Sequence, residues 1–219
     1  MERWDPLSAA ALAGGKSRRM GADKAFLPVV EGGPAMLAMV LDRLAKLSHD
    51  VMVVANDRVS YAPFGVRVVP DVHVGAGALG GIHAALSEAK EDYCLVVACD
   101  MPFLNSRLLQ RMAQAPRDYD VLIPRLPGES RQGTDGHILH TLHAIYSKRC
   151  LPNIQAHLTA NSKQVIQFFE EVAVRTIDLK EVLDCDPELR SFFNTNTPEA
   201  LEMARKLVTE EEHLSGHLR

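Results

Sequence analysis

The stretch Leu12-Ala-Gly-Gly-Lys-Ser-Arg-Arg-Met-Gly-Ala-Asp-Lys24 decides how the chain is interpreted. It follows an apolar run over residues 7–12, which predicts a buried first strand. Three glycines and four cations then fall within thirteen residues. Because glycine lets backbone N–H groups approach a ligand and Lys and Arg add positive charge, this stretch predicts a phosphate-binding loop. A solvated basic turn is the alternative.

A P-loop is the first rival for this stretch. Gly15-Lys16-Ser17 resembles the end of a P-loop, and residues 94–100 resemble a Walker B strand. The P-loop pattern requires a glycine five positions before the Gly-Lys pair. That position is Ala10, inside the predicted strand. The sequence therefore favours a different kind of nucleotide-binding loop.

Composition limits the remaining function classes. The chain has 219 residues, of which 47% are hydrophobic and 24% charged, with a net charge of -4. These values predict a single domain over residues 1–219 with its core at about 7–208, and they argue against a nucleic-acid binder. No apolar run is long enough to span a membrane, and residues 1–6 lack a signal-peptide pattern. We expect a cytoplasmic protein whose four cysteines are reduced.

Strands alternate with helical patterns along the chain, which predicts an α/β fold with a mainly parallel central sheet. After the first strand, the predicted strands cover residues 51–55, 65–69, 93–98, 120–124, 138–146 and 172–179. The predicted helices cover residues 37–47, 82–89, 104–115, 148–169 and 198–207. Residues 125–137 form a long polar loop, which is a candidate substrate lid or a mobile connection.

The predicted strand over residues 93–98 is the most continuously apolar, as expected at the centre of a parallel sheet. It ends at Cys99-Asp100-Met101-Pro102-Phe103. Open α/β sheets bind ligands at this end of their strands, and a carboxylate there is a natural Mg²⁺ ligand. Asp100 is therefore a candidate metal ligand, with a helix N-cap as the alternative.

Two further segments are candidates for ligand binding. The glycine-rich run over residues 75–81 precedes a predicted helix, an arrangement that suits an anion or a base edge as well as a flexible connector. Asn194 and Asn196 precede Thr197, a predicted N-cap, and turn chemistry is their alternative role.

Three histidines invite a zinc hypothesis. His137, His140 and His143 recur every three residues. In a continuous strand, residues three apart point to opposite faces of the sheet. We therefore do not expect a zinc site in this segment.

Several motifs together resemble the molybdenum cofactor guanylyltransferase family of nucleotidyltransferases. In chain order they are Leu12-Ala-Gly-Gly with Arg18, Arg19, Met20, Gly21, Asp23 and Lys24; Pro70-Asp71; Gly75 to Gly81; Cys99 to Phe103; and Asn194-Thr-Asn-Thr-Pro-Glu199. They extend from about residue 7 to about residue 208. The chain departs from the family pattern at Ala78, where members often have Pro, and at Thr141, where many have His-Pro-Leu in place of His140-Thr-Leu142.

The resemblance implies a Rossmann-like fold with helices on both faces of the sheet. It implies transfer of GMP from GTP to the terminal phosphate of molybdopterin, with Mg²⁺ as cofactor. Molybdenum-insertion proteins and molybdoenzyme chaperones are the implied partners. The implied GTP-binding residues are Leu12, Ala13, Gly14, Gly15, Lys24, Asn56, Asp71, Gly80 and Asp100. The implied catalytic residues are Lys24, Asp100 and Arg19.

The resemblance also implies metal and acceptor positions. Asp100, together with Asn196, is implied to bind Mg²⁺. The implied pterin side consists of Asn194, Asn196 and His140. Related cytidylyltransferases tend to have Leu-Ala-Ala-Gly where this chain has Leu-Ala-Gly-Gly, so we hypothesise that Gly14 makes room for guanine.

The residues fit nucleotidyl transfer on chemical grounds as well. A phosphate monoester acceptor has a second pKa near about 6, so it is already anionic at neutral pH and needs no general base. Catalysis then depends on positioning and charge neutralisation, which Lys16, Arg19 and Lys24 can supply. Two alternatives stay open. One is a sibling nucleotidyltransferase, either a cytidylyltransferase that makes the cytidine form of the cofactor or an enzyme that acts on a sugar phosphate or phospholactate. The other is a non-catalytic GTP-binding protein.

Overall fold

The structure is a computed structural model that describes residues 5–13, 24–128 and 136–216, with the backbone alone for residues 209–216. The strands are β1 (Ser8–Leu12), β2 (Asp50–Val54), β3 (Arg67–Val69), β4 (Tyr93–Ala98), β5 (Val121–Pro127), β6 (His137–Leu139), β7 (His143–Ser147) and β8 (Val174–Ile177). The α-helices are α1 (Met36–Ala45), α2 (Arg58–Tyr61), α3 (Ala78–Glu88), α4 (Ser106–Ala113), α5 (Leu151–Thr159), α6 (Leu179–Leu183) and α7 (Pro198–Gly216). No helix within these ranges is long and apolar enough to cross a membrane.

The strands form one sheet in the order β3-β2-β1-β4-β7-β5-β6, with β8 paired to β5. Strands β3, β2, β1 and β4 are parallel to one another, and β8 is parallel to β5. Strand β7 is antiparallel to both β4 and β5, so β4 and β5 run in the same direction. The predicted α/β fold with a mainly parallel sheet is confirmed.

Small side chains at the centre of the sheet bring helices close to both faces. Ala9, Ala10 and Ala11 of β1 are completely buried between β2 and β4. Ala9 and Ala11 belong to the core beneath α1 and α4, whereas Ala10 belongs to the core beneath α3 and α5. This alternation follows from the two-residue period of a strand, and it confirms helices on both faces.

The predicted strand over residues 138–146 is wrong in one respect, since a turn divides it. Strands β6 and β7 flank residues 140–142, where the His143 N–H donates to the His140 carbonyl at 2.9 Å. The loop predicted over residues 125–137 is also shorter than expected. Its first residues extend β5, and they pair with β6 from Arg125↔Leu139 to Pro127↔His137. The lid hypothesis for residues 125–137 stays a prediction, because residues 129–135 lie outside the described residues.

Buried polar residues stabilise the amino-terminal edge of the sheet. The Asp50 carboxylate accepts hydrogen bonds from Ser8 Oγ at 2.6 Å, from the Lys90 N–H at 2.9 Å and from Arg67 Nη2 at 2.8 Å. Burial raises the pKa of Asp50, but these hydrogen bonds and the Arg67 charge outweigh it and hold the pKa below its usual range. This network ties β1, β2 and β3 together at the edge opposite to the candidate ligand-binding residues.

Candidate active site

The candidate site residues follow parallel strands at one edge of the sheet. Strands β1, β2, β3 and β4 all end there, and backbone hydrogen bonds continue the sheet for one further residue. The Ala13 N–H donates to Val54 O at 2.9 Å, and the Cys99 N–H donates to Leu12 O at 3.1 Å. Ligands of open α/β sheets bind at this edge, so the topology brings the segments after each strand into one place.

Asp100 follows the central strand β4 and is largely buried. Its Oδ1 atom has no hydrogen-bond partner among the described residues. Burial raises the pKa of Asp100, although the nearby Lys24 ammonium and the Asn194 side chain lower it. A buried carboxylate oxygen with no partner is costly, and a bound cation would remove that cost.

Lys24 lies beside Asp100 at the start of a short 3₁₀ helix, Lys24–Phe26, and only 5% of the residue is exposed. Its Nζ donates to the Asn196 carbonyl at 2.6 Å and to Asn196 Oδ1 at 3.0 Å. The sequence separation between these residues is 172, so only the fold brings them together. The ammonium is therefore held in one place, as electrostatic preorganisation requires.

Thr195, which is not among the residues predicted from the sequence, joins the segment over residues 194–197 to the backbone of Asp100. The Thr195 N–H donates to the Asp100 carbonyl at 3.1 Å, and its hydroxyl lies 3.1 Å from the same oxygen and 2.8 Å from Met36 Sδ. Only 1% of Thr195 is exposed. Its position between the two candidate asparagines is the sequence feature that could have indicated Thr195. Thr197 caps α7 as predicted, because its Oγ1 accepts from the Ala200 N–H at 3.1 Å.

The donors around Asp100 fit Mg²⁺. Asn194 Oδ1 is a second buried oxygen without a partner among the described residues, whereas Asn196 Oδ1 accepts from Lys24. Residues 5–13, 24–128 and 136–216 contain no cluster of three or more His, Cys, Asp or Glu side chains that could hold a metal ion. Mg²⁺ requires no such cluster, since it binds one or two protein oxygens together with phosphate oxygens and water.

Asn56 and Asp71 form the far side of the same edge. Asn56 Oδ1 accepts from the Asp71 N–H at 2.8 Å, and Asp71 Oδ1 accepts from the His73 N–H at 2.8 Å. Gly80 lies against this carboxylate: a Cβ there would be 2.9 Å from Asp71 Oδ1 and 3.0 Å from Oδ2. The absence of a side chain at residue 80 therefore leaves room for the Asp71 carboxylate.

Gly81 has an equivalent relation to β1. A Cβ at residue 81 would lie 2.8 Å from Leu12 Cδ1. Both glycines belong to the first turns of α3, which begins at Ala78 and not at residue 82 as predicted. The glycine-rich run over residues 75–81 is thus partly helix, and its glycines let α3 pack closely on β1 and Asp71.

His140 packs on Phe192, beside the segment that carries the asparagines. The ring centroids of His140 and Phe192 are 4.4 Å apart, and those of His143 and Phe192 are 4.9 Å apart. The two histidines therefore contact the same ring, and the expectation that they point to opposite faces is wrong because of the turn at residues 140–142. Burial lowers the pKa of His140 to about 4 and that of His143 to about 3, so both rings are neutral near pH 7.

Three of the candidate residues, Gly14, Gly15 and Arg19, lie outside the described residues, as does Lys16. The structure therefore brings together Lys24, Asp100, Asn194 and Asn196, with Leu12 and Ala13 at the end of β1. Asn56, Asp71 and Gly80 form a second group at the same edge.

Comparison with known families identifies one matching family model, the MobA-like NTP transferase domain, over residues 9–174. A probable molybdenum cofactor guanylyltransferase of Pelotomaculum thermopropionicum is 40% identical over 200 residues, covering 90% of this chain and 91% of the relative. A molybdenum cofactor guanylyltransferase of Desulfosudis oleivorans is 34% identical over 206 residues, covering 93% of this chain and 96% of the relative.

Solved structures agree with these matches. Molybdopterin-guanine dinucleotide biosynthesis protein A from Archaeoglobus fulgidus superposes with a TM-score of 0.77 at 25% identity, covering 93% of this chain and 99% of that one. The 4-diphosphocytidyl-2C-methyl-D-erythritol synthase from Anaerococcus prevotii has a TM-score of 0.68 at 14% identity, over 92% of this chain and 95% of that one. The second likeness concerns the fold alone.

Proposed function

Because the chain belongs to the MobA-like NTP transferase family and, within it, to the molybdenum cofactor guanylyltransferases, we propose that it transfers GMP from GTP to the terminal phosphate of molybdopterin. An oxygen of the acceptor phosphate attacks the α-phosphorus of GTP. The bond from that phosphorus to the β-phosphate bridging oxygen breaks, and pyrophosphate leaves with its electron pair. The product is molybdopterin guanine dinucleotide.

The observation that carries this proposal is the convergence of Lys24, Asp100 and the segment over residues 194–197 at the carboxyl edge of the sheet. Lys24 is held by two oxygens of Asn196, and Thr195 fixes the backbone of Asp100. A buried ammonium beside a buried carboxylate suits a triphosphate with its metal ion. The arrangement favours in-line displacement, in which positioning and charge neutralisation provide most of the catalysis.

The residues divide between the two halves of the nucleotide. Leu12, Ala13 and Gly14 contact the guanine, whereas Gly15, Asn56, Asp71 and Gly80 contact other parts of the nucleotide. Lys24 binds the phosphates, and Arg19 assists it. These roles are supported by position, because those of the residues that the structure describes all lie at the carboxyl edge of the sheet.

Asp100 and Asn194 would hold Mg²⁺, since each has a buried oxygen without a partner among the described residues. Bound Mg²⁺ would neutralise phosphate charge and polarise the α-phosphate. Asn196 instead acts through Lys24, because its side-chain oxygen already accepts from the ammonium. The residues of this chain therefore separate metal binding from lysine positioning.

We also propose a cytoplasmic location and exchange with partner proteins. The four free cysteines support a reducing compartment. Molybdenum-insertion proteins would deliver the acceptor, and molybdoenzyme chaperones would take the product.

Four parallel incubations test the proposed function. Each contains the full chain, molybdopterin, MgCl₂ and one of the four ribonucleoside triphosphates, with pyrophosphate release and the dinucleotide product measured by chromatography. We expect the guanine dinucleotide with GTP and little product with CTP, ATP or UTP. A product with CTP alone would instead indicate the cytidylyl sibling, and GTP binding with no pyrophosphate release would indicate a non-catalytic binding protein.

A further inference from the structure

A second cleft lies at the same edge of the sheet, on the side away from the nucleotide residues. Its volume is about 620 Å³. It lies between the β5–β6 pair and helix α6, and its walls include Arg125, Pro127, Leu179, Lys180 and Asp184. None of these residues belongs to the candidate site described above.

The strand pairing places this cleft close to Asp100. Leu95 of β4, Ile145 of β7 and Leu122 of β5 form one row across the sheet. Asp100 is five residues beyond Leu95 and Arg125 is three residues beyond Leu122, in strands that run the same way. With about 4.8 Å between strands and about 3.3 Å per residue, the two backbones are on the order of 12 Å apart.

The order of the strands separates the cleft from the nucleotide. Leu12, Asn56 and Asp71 follow β1, β2 and β3, on one side of β4. Arg125 belongs to β5, on the other side of β4 beyond β7. An acceptor whose phosphate lies at Asp100 and whose remainder extends away from the nucleotide therefore reaches this cleft.

The walls of the cleft combine apolar and charged groups. Pro127, Leu179 and Leu183 supply apolar surface. The Lys180 ammonium and the Asp184 carboxylate make no hydrogen bond or ion pair with the described residues, so both side chains retain their full capacity for a ligand. Because a guanidinium can only donate, the 3.2 Å contact between Arg125 Nη2 and His137 Nδ1 is a hydrogen bond to the ring nitrogen, and it joins two residues of the cleft wall.

A pterin matches this lining. Its planar ring packs on apolar side chains, its 2-amino and N3–H groups donate to a carboxylate, and its 4-oxo group accepts from a cation. We propose that the cleft between β5–β6 and α6 binds the pterin ring system of the acceptor, with Asp184 accepting from its amino edge and Arg125 and Lys180 donating to its 4-oxo group. This inference rests on the proposed function, because it assumes a molybdopterin acceptor at Asp100.

Three single variants test the cleft: Arg125→Ala, Lys180→Ala and Asp184→Ala. The matched control is Arg175→Ala, because Arg175 lies on β8 with Nη1 3.1 Å from Asp118 and does not line the cleft. The KM for molybdopterin and the KM for GTP are measured separately in the pyrophosphate assay. The Kd for molybdopterin without GTP is measured from pterin fluorescence, which does not depend on turnover.

We expect each cleft variant to raise the KM and Kd for molybdopterin by about ten-fold, the loss typical of one hydrogen bond to a charged group. The KM for GTP stays unchanged, and Arg175→Ala behaves as wild type. Unchanged molybdopterin constants in all three variants of an active enzyme would overturn the cleft assignment while leaving the proposed function intact. A wild-type chain that neither binds nor turns over molybdopterin would overturn both.

Discussion

The contact between Gly80 and Asp71 gives a prediction that separates local structure from ligand binding. In Gly80→Ala the new Cβ would lie 2.9 and 3.0 Å from the two Asp71 carboxylate oxygens and 3.1 Å from Ala76 Cβ. The carboxylate is short, and its Oδ1 is fixed by the His73 N–H at 2.8 Å. Asp71 must therefore move, which strains that hydrogen bond.

Two opposing effects set the change in stability. Overpacking typically costs about 1–3 kcal/mol. Alanine in place of glycine in α3 contributes up to about 1 kcal/mol of helix propensity. We expect Gly80→Ala to lower the free energy of unfolding by about 1 kcal/mol and to weaken GTP binding, because the displaced Asp71 carboxylate no longer meets the nucleotide.

A double-mutant cycle isolates the contact. Asp71→Ala removes the carboxylate, so Gly80→Ala in that background loses the two closest contacts, retains the 3.1 Å approach to Ala76 Cβ and keeps the propensity gain. We expect Gly80→Ala to destabilise the wild type but to stabilise Asp71→Ala, with a coupling of about 2 kcal/mol between the two positions. Urea unfolding of the four proteins measures this coupling. Equal effects of Gly80→Ala in both backgrounds would show that the Asp71 carboxylate does not set the cost of the added Cβ.

Three other perturbations test separate parts of the structure. Lys24→Met keeps the length of the side chain without its charge. It should weaken GTP binding, measured by calorimetry, at least ten-fold and guanosine binding much less, because a charged hydrogen bond to phosphate is lost. Equal losses of affinity for both ligands would contradict this role of Lys24. Asp50→Ala should lower the free energy of unfolding by about 3 kcal/mol at pH 7. Because the pKa of Asp50 is lowered in the folded state, the stabilisation by Asp50 is present above the unfolded pKa near 3.8 and is lost as pH falls through the lower folded pKa. The wild type should therefore lose more stability than the variant on acidification. Parallel curves of unfolding free energy against pH would count against the network. Gly14→Ala should lower the GTP:CTP turnover ratio, and an unchanged ratio would dismiss Gly14 as the residue that admits guanine.

The sequence predicts the central strands well because their signal is local. The run over residues 93–98 is apolar throughout, and β4 has these bounds with every residue buried. Local patterns also indicate Asp100, an acidic residue shortly after a buried strand, and Thr197, a helix cap. Such features need only neighbouring residues to be recognised.

The errors arise where tertiary contacts outweigh local pattern. The glycines at residues 80 and 81 suggest a loop, yet both lie in α3. Glycine is needed there because a Cβ would come too close to Asp71 or Leu12, which lie outside the helix. The turn at residues 140–142 interrupts a segment, residues 138–146, whose apolar residues predict a single strand. The Leu142 carbonyl accepts a hydrogen bond from the Ala98 N–H at 3.2 Å, which pairs the turn with β4. The sequence of either segment alone does not predict such a contact.

The site was predicted as separate motifs, and the structure shows how some of them meet. Lys24 and Asn196 were both candidates, but their direct hydrogen bonds were not foreseen. Thr195 was overlooked because its role depends on the carbonyl of a residue 95 positions away. The cleft beside α6 was also missed, since its walls come from β5, β6 and α6 and carry no common sequence motif.

We propose that the carboxyl edge around Asp100 transfers GMP to molybdopterin. The most direct measurement is the rate of molybdopterin guanine dinucleotide formation by wild type and by Asp100→Asn over a range of Mg²⁺ concentrations, with circular dichroism confirming that both are folded. We predict Mg²⁺-dependent product formation by the wild type and a rate lower by at least about a thousand-fold, roughly 4 kcal/mol, in the variant. Near-normal formation of the dinucleotide by folded Asp100→Asn would exclude Asp100 from the transfer.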